Sequence, residues 1–246
     1  MLRQTLSACL VLMLSAEAMA SISLSATRVV FDGAHKEANI TVRNGAQDTL
    51  IQSWIDQQDT GTATPFAVTP PLARVFAKDQ QLLRILYEGQ GMPQDKESVV
   101  WLNVQEIPQT SKTANTLQLA VRQRIKIFFR PKGLSGDALT APTELQWRLA
   151  QDNDKTVLRV KNPTLYHVSM ADVTLHDPRQ NELATDSTMI APGAEASFSV
   201  TRFAANSTPV LTFSSINDYG ALSVYRASLS ESHPVSATLT QDNATK

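Results

Sequence analysis

The stretch from Asn115 to Pro131 constrains the fold of this chain more than any other. Its odd-numbered positions from Leu117 to Phe129 are mostly apolar, whereas polar and basic side chains occupy most of the positions between them. Such a two-residue period indicates an extended strand. At about 3.3 Å per residue the strand would be about 45 to 55 Å long, when an ordinary strand reaches about 20 Å. One part of it is therefore predicted to lie beyond its own sheet, where either another strand covers it or another chain pairs with it.

Residues 1–20 are predicted to be a cleaved signal peptide. Arg3 supplies the positive start, Leu6 to Leu14 form the apolar run, and cleavage is expected before Ser21. The apolar run is too short to span a bilayer, and no later stretch approaches about 20 apolar residues, so no membrane insertion is expected. The only cysteine, Cys9, lies in this leader. The mature chain is therefore predicted to be exported without an anchor and without a disulfide.

Short alternating or apolar runs separated by turn residues fill most of the remaining chain. About seven runs precede Pro131, which is the number that an immunoglobulin-like sandwich needs, and no sustained helical periodicity competes with them. These runs are 22–31, 38–44, 49–56, 65–69, 81–87, 98–104 and 117–129. Six more follow the proline, at 145–150, 156–162, 166–177, 196–203, 209–218 and 221–229.

This pattern predicts an all-β chain of two β-sandwich domains in series. A segment rich in glycine and proline, KGLSGDALTAP, separates the two sets of strands and is typical of a hinge. The predicted division is a signal peptide at 1–20, an N-terminal immunoglobulin-like domain at 21–133, a hinge at 134–141, a C-terminal β-sandwich domain at 142–240 and a polar tail at 241–246.

No motif in the sequence supports catalysis or cofactor binding. The glycines at 133–136 do not form a G-x-S-x-G elbow, and no phosphate-binding glycine loop occurs. His35, His167, His176 and His233 lack the spacing of metal ligands and are predicted to be surface or half-buried side chains. A formal net charge of -1 gives no support for a nucleic-acid partner. We therefore expect a protein that is not an enzyme and that needs no metal or cofactor.

Two cations lie within or beside apolar strand segments. Arg28 precedes the apolar residues 29–31, and Lys126 lies between Ile125 and Ile127, so each cation points away from its apolar neighbours. Each is either a solvated strand charge, which is commoner for a single such residue, or part of a pair that binds an anion such as a carboxylate. Spacing along the sequence does not distinguish these two interpretations.

Three further charged residues lie at strand edges or beside the predicted hinge, namely Glu97, Arg130 and Asp218. They are either unrelated surface charges or a salt-bridge network between the domains. The second interpretation follows from the position of Arg130 immediately before the hinge and of Asp218 in the second domain. Such a network would fix the angle between the domains more than it would add net stability.

Seven short segments form a recognisable set when they are taken together. They are ATRVVFDG at 26–33, IQSWID at 51–56, TPPLARV at 69–75, LRI at 83–85, PQDKESVVWLNVQEIP at 93–108, RIKIFFRP at 124–131 and INDYGA at 216–221. In this order the set resembles the periplasmic chaperones of the chaperone/usher pathway, the PapD-like family that assembles bacterial pili and fimbriae. The segments extend over the first domain and reach the second.

The resemblance implies two immunoglobulin-like β-sandwich domains in an L-shaped arrangement. It also implies that a pilus subunit binds along the last strand of the first domain by donor-strand complementation, with Leu117, Leu119 and Val121 filling the groove of the incomplete subunit sandwich. This agrees with the physics of strand addition, in which the main chain supplies pairing and each buried aliphatic side chain contributes about 1.5 to 3 kcal/mol.

The resemblance further assigns roles to the charged residues. Arg28 and Lys126 would bind the terminal carboxylate of the subunit, and Glu97, Arg130 and Asp218 would form interdomain salt bridges. The implied function is that of an ATP-independent chaperone in the periplasm, which stabilises pilus or fimbrial subunits and delivers them to an outer-membrane usher. A self-capping homodimer is a further hypothesis for the unoccupied protein, because it would expose the same apolar edge.

Two positions depart from the family pattern. Thr49 and Gln109 stand where the family often has prolines that are linked to usher contact. The short segment between Pro108 and Asn115 and the absence of cysteine from the mature chain resemble the short-loop branch of the family, which serves rod-like pili.

The alternative function is that of a secreted β-sandwich adhesin or carbohydrate-binding module. Such a protein would bind through loops and clustered aromatic side chains rather than through one long strand. The sparse aromatics disfavour this alternative, because Trp54, Trp101 and Trp147 form no cluster in the sequence and are predicted to be core residues.

Overall fold

The computed structural model describes residues 22–57, 64–108, 119–229 and 233–240. Within these ranges the chain is built from strands and one short helix, α1 (Ala141–Glu144). The strands of the first domain are β1 (Ile22–Leu24), β2 (Arg28–Asp32), β3 (Glu37–Asn44), β4 (Thr49–Asp56), β5 (Phe66–Thr69), β6 (Leu72–Val75), β7 (Gln80–Tyr87), β8 (Ser98–Ile107) and β9 (Arg122–Arg130). Those of the second domain are β10 (Gln146–Asp152), β11 (Lys155–Lys161), β12 (Val168–His176), β13 (Asn181–Ile190), β14 (Glu195–Val200), β15 (Val210–Ile216), β16 (Leu222–Ser228) and β17 (Thr238–Leu239).

The first domain is a sandwich of two sheets, with strand orders β1-β3-β7-β5 and β2-β9-β8-β4-β6. All of its strand pairs are antiparallel except β2 and β9, which run in parallel. The first two strands are divided between the sheets, because β1 pairs with β3 whereas β2 pairs with β9. This change of sheet shapes the edge on which the candidate site lies.

The second domain is also a sandwich, with sheets ordered β10-β11-β14 and β13-β12-β15-β16-β17. Its core surrounds Trp147, whose side chain is fully buried and lies 5.2 Å from the Phe213 ring, centroid to centroid. The core of the first domain contains a group of four aromatic rings, in which Tyr87 and Phe129 have centroids 4.7 Å apart. Alternation along each strand supplies one apolar face to these cores, as a two-residue period requires.

The prediction of an all-β chain with two immunoglobulin-like sandwiches is confirmed, but the strand count is wrong. The described residues contain nine strands before Pro131 rather than about seven, and eight after it rather than six. The run 22–31 divides into β1 and β2, and β6 follows two prolines that obscured it. In the second domain β13 was missed because most of its side chains are polar and only Ile190 is buried, and β17 because it has only two residues.

The long strand predicted from Leu117 to Phe129 is shorter in the described residues. It begins at Arg122, and its ladder with β8 runs from Arg122, opposite Gln105, to Phe129. Only one further backbone bond extends it upstream, from the Glu106 N–H to the Val121 carbonyl at 2.9 Å. The regular ladder therefore stops at Arg122, although β8 itself continues to Ile107. Leu117, the predicted signal peptide and the predicted tail at 241–246 lie outside the described residues.

Candidate functional site

An ion-pair network joins the two domains where β9 ends. Arg130 Nε donates to Glu97 Oε2 at 2.7 Å, and its two terminal nitrogens donate to the two carboxylate oxygens of Asp218 at 2.7 Å each. Glu97 directly precedes β8 in the first domain, whereas Asp218 lies in the turn between β15 and β16. Burial alone would lower the pKa of Arg130, but the hydrogen bonds to Asp218 and Glu97 outweigh it and raise that pKa. Arg130 is thus a fixed cation between two carboxylates.

Glu97 also contacts the second domain directly. Its Oε1 accepts hydrogen bonds from the backbone N–H of His167 at 2.8 Å and from the ring Nδ1 of the same residue at 2.9 Å. Because a carboxylate only accepts hydrogen bonds, the Nδ1 of His167 carries the proton. The backbone N–H of Glu97 donates to the Leu165 carbonyl at 2.9 Å, and its side chain is 1% exposed. Loss of this carboxylate would leave several buried donors unpaired, at a high cost.

Arg28 and Lys126 are direct neighbours across the parallel pair of β2 and β9. Arg28 donates from a terminal nitrogen to the Ile216 carbonyl of the second domain at 2.8 Å, and its guanidinium lies 5.5 Å from the centroid of the Phe128 ring. Lys126 Nζ lies 5.4 Å from the centroid of the Trp101 ring. Among the described residues, neither cation has a carboxylate within ion-pair distance.

Burial lowers the pKa of both cations. For Arg28 this effect outweighs the opposite influence of Asp218 and Glu97. For Lys126 the repulsion from Arg28 adds to the effect of burial. A lowered pKa means that the charged form of each side chain is less favourable here than it is in water. An anion that entered here would meet two adjacent cations, neither of which forms an ion pair with a carboxylate of the described residues.

Two other cations on the same face of β9 share one carboxylate. Arg124 donates to Asp56 Oδ1 at 2.8 Å, and Arg122 lies 3.7 Å from Asp56 Oδ2. Asp56 also accepts a hydrogen bond from Asn103 at 2.8 Å. Burial opposes ionisation of Asp56, yet the hydrogen bonds and charge of Arg124, together with other donors, lower its pKa. This carboxylate is therefore engaged by two arginines and is not available to Lys126.

β9 has a free edge over its first half. β8 pairs with β9 from Arg122 to Phe129, but β2 pairs only with Lys126–Arg130, because the residues upstream of β2, Ile22–Leu24, join the other sheet. Residues 122–125 therefore have no strand partner on that side within the described ranges. Leu119 and Val121, which are 72% and 41% exposed, lie directly upstream. An unpaired strand edge beside exposed aliphatic side chains is suited to the addition of a strand from another chain.

A cavity of about 210 Å³ lies between the domains beside these groups. Its lining includes Arg28, Phe128, Arg130, His167 and Asp218. The cavity, the ion-pair network and one of the unpaired cations thus form one interdomain site. In the described part of the chain, no group of three or more His, Cys, Asp or Glu side chains is placed to hold a metal ion. No helix in that part is long and apolar enough to cross a bilayer.

Both domains match known family profiles. Residues 21–135 match the profile described as pili and flagellar-assembly chaperone, PapD N-terminal domain. Residues 140–227 match the profile described as pili assembly chaperone PapD, C-terminal domain. The chain belongs to the PapD-like family of pilus assembly chaperones. The resemblance seen in the seven sequence segments is thereby confirmed.

Individual PapD-like relatives agree with this assignment over most of their length. The probable fimbrial chaperone LpfB of Escherichia coli O157:H7 is 40% identical over 206 residues, which are 81% of this chain and 84% of that protein. The probable fimbrial chaperone YadV of Escherichia coli K12 is 39% identical over 220 residues, which are 84% of this chain and 89% of that protein. A crystal structure of a YadV chaperone gives a TM-score of 0.74 at 36% identity, covering 85% of this chain and all of the other. A chain from the complex of the Salmonella enterica SafA pilin with the SafB chaperone gives a TM-score of 0.72 at 27% identity, covering 87% of this chain and 99% of that chain.

The structure of this PapD-like chain brings the predicted charged residues together in two groups. Arg28 and Lys126 are adjacent, and Glu97, Arg130 and Asp218 are bonded to one another. The predicted donor residues are not in a strand of the described part: Leu119 and Val121 are exposed upstream of β9, and Leu117 lies outside it.

The sequence did not indicate several groups that complete the site. His167 is half-buried, as predicted, but the sequence did not indicate that its ring pairs with Glu97. The prediction of three core tryptophans is correct only for Trp147. Trp54 and Trp101 are half-buried and stack beneath cations of β9 on the opposite face of the sheet. The alternation of side chains along the strand could have predicted this for Trp101. It lies between two fully buried core residues, so its side chain must point to the opposite face of the sheet.

Proposed function

We propose that this protein is a periplasmic chaperone that binds pilus or fimbrial subunits by donor-strand complementation and delivers them to an outer-membrane usher without ATP. The free edge of β9 is the observation that carries the proposal. A subunit that lacks one strand of its own sandwich would pair with residues 122–125 and would bury the exposed side chains of Leu119 and Val121. Main-chain pairing supplies affinity in this kind of recognition, and the alternate side chains supply specificity.

The two unpaired cations mark the end of this edge. A strand that runs along residues 122–125 reaches Lys126 and Arg28 at the point where β2 begins and closes the edge. The terminal carboxylate of the subunit would bind there, because charge-assisted hydrogen bonds to a partly buried cation are stronger than those between neutral groups. The carboxylate would thereby fix the register of the strand, and with it the choice of which subunit side chains meet Leu119 and Val121.

The names of the relatives support this assignment of partners. The relatives include proteins named as fimbrial chaperones, and one structural neighbour is a complex of a pilin with its chaperone. The proposal includes export to the periplasm after cleavage before Ser21, with the domains divided at a hinge at 134–141. It requires no cofactor and no catalysis, since burial of apolar surface and backbone pairing supply the free energy of complex formation. A self-capping homodimer would cover the same edge in the absence of a subunit.

The interdomain network is proposed to orient the second domain over this edge. The Arg130 side chain donates hydrogen bonds to Asp218, and Glu97 accepts one from the backbone N–H of His167. Both contacts join the two domains close to Arg28. Arg28 itself donates to the Ile216 carbonyl of the second domain. The position of one carboxylate-binding cation therefore depends on the relative placement of the two domains.

Substitution of Leu119 by Asp tests the proposed donor edge. A carboxylate at this position would have to enter the apolar groove of the subunit, so capture of a co-expressed fimbrial subunit from the same gene cluster is expected to fail. Leu82→Asp is the matched control, because Leu82 is also an exposed leucine (49%) of the first domain but lies on β7 in the other sheet. Co-purification of the subunit with Leu119→Asp at the native yield would contradict strand donation at this edge.

A further inference from the structure

Trp101 is the residue directly opposite Lys126 in the ladder of β8 and β9. Its indole ring lies beneath two cations of β9, with Arg124 Cζ at 4.5 Å and Lys126 Nζ at 5.4 Å from its centroid. The indole N–H is buried and donates to no acceptor among the described residues. The indole N–H of Trp101 thus makes no hydrogen bond within the described residues, and Trp101 contacts charged groups only through the face of its ring.

The two cations on this ring differ in their other partners. Arg124 has an ion pair with Asp56 at 2.8 Å, whereas Lys126 has no carboxylate partner in the described residues. An aromatic face attracts a cation through its quadrupole without occupying the N–H donors of an ammonium group in hydrogen bonds to an acceptor. Trp101 therefore provides attraction for the ammonium while leaving its charge uncompensated.

We propose that Trp101 is a positioning residue for Lys126, holding the ammonium beside Arg28 in a state that is ready to bind a carboxylate. This inference rests on the proposed function, because it takes Lys126 to be a carboxylate-binding residue. A carboxylate partner in place of the ring would compete with the incoming ligand. Without any partner, the flexible lysine side chain would turn away from Arg28 toward water, because repulsion from Arg28 and burial both oppose its present position.

Acetate is a suitable probe, because it carries the carboxylate without the strand. The full-length mature protein with isotope-labelled lysines would be titrated with acetate while the side-chain resonances of Lys126, identified with a Lys126→Arg variant, are followed by NMR. We expect Trp101→Leu to weaken acetate binding at Lys126 by about three- to tenfold, the factor that corresponds to one partly desolvated cation–π contact. Trp101→Phe keeps an aromatic face, so its acetate affinity is expected to lie between those of Trp101→Leu and the native protein. If Trp101→Leu folds poorly, the comparison of Trp101→Phe with the native protein still tests the positioning role.

Trp54→Leu is the matched control. Trp54 is likewise a half-buried tryptophan of the same sheet beneath a cation of β9, with Arg122 Cζ at 4.8 Å from its centroid, but it contacts neither proposed carboxylate-binding residue. It is expected to leave acetate binding at Lys126 unchanged. Equal acetate affinity in the native protein and in both Trp101 variants would overturn the positioning role and would leave the carboxylate site intact. If acetate fails to perturb Lys126 in the native protein, the carboxylate site itself is wrong, and this inference is overturned with it.

Discussion

Arg28 and Lys126 lie side by side across the parallel β2 and β9 strands, and no carboxylate of the described residues pairs with either. Like charges in directly opposed cross-strand positions destabilise a sheet. The neighbouring Arg124 and Arg130, by contrast, are each paired with carboxylates. The unoccupied protein therefore retains an unfavourable pair of cations at the closed end of a free strand edge, and a bound carboxylate would relieve it.

The lowered pKa of Lys126 predicts a dependence on alkaline pH. Its folded-state pKa lies below the ordinary value of 10.5, so the charged form costs stability at neutral pH. As the pH rises through this lowered pKa, the ammonium loses its proton; the unoccupied protein is then expected to regain stability and the subunit is expected to bind more weakly. Both effects would be measured between neutral pH and 10.5, as the free energy of unfolding and the affinity for a purified subunit.

Lys126→Arg is the control for this pH dependence. Arginine stays charged throughout the range, so both trends are expected to disappear or to become much smaller. Identical pH profiles for the native protein and Lys126→Arg would show that another group is responsible.

Glu97 is predicted to couple the stability of the two domains. Substitution by Ala would leave Arg130 and the donors of His167 without their shared carboxylate, and breaking a buried ion pair in this way costs about 3 to 5 kcal/mol. We expect calorimetry of Glu97→Ala to show a lower melting temperature and separate unfolding transitions for the two domains.

Glu37→Ala is the matched control for Glu97. Glu37 forms an exposed ion pair with Arg84 within the first domain, and exposed pairs contribute about 0 to 1 kcal/mol. A small loss with an unchanged unfolding profile is the expected result. Equal effects of the two substitutions would mean that the interdomain carboxylate has no special role in the coupling of the domains.

The alternation of apolar side chains was sufficient to predict the inner half of the candidate edge. Ile127 and Phe129 are fully buried in the first core, as their odd positions require, and Lys126 lies on the opposite face. The same pattern predicted a strand at residues 119–121, which the structure places outside β9. Periodicity reports which face a side chain would occupy in a strand, but it does not report where backbone pairing stops. Among the described residues the last backbone bond to β8 is that of Val121.

The remaining parts of the site depend on contacts that no local pattern reports. The sequence from Ile22 to Phe31 reads as one continuous run, yet it changes sheets between β1 and β2 and so opens the edge of β9. His167 meets Glu97 from 70 residues away. Arg28 is held by a backbone carbonyl, that of Ile216, which any residue type could supply. The family resemblance was enough to assign the charged residues to a site. It did not reveal the groups that hold them in place, namely His167 and the Ile216 carbonyl.

The central claim is that a pilus subunit adds a strand to the free edge of β9, and backbone amide hydrogen exchange tests it most directly. Exchange would be compared between the chaperone alone and its purified complex with a co-expressed subunit. We predict new protection at the amides of residues 122–125 that face away from β8, with little change on β6 at the opposite edge of the same sheet. Protection on β6 with no change at residues 122–125 would contradict the account.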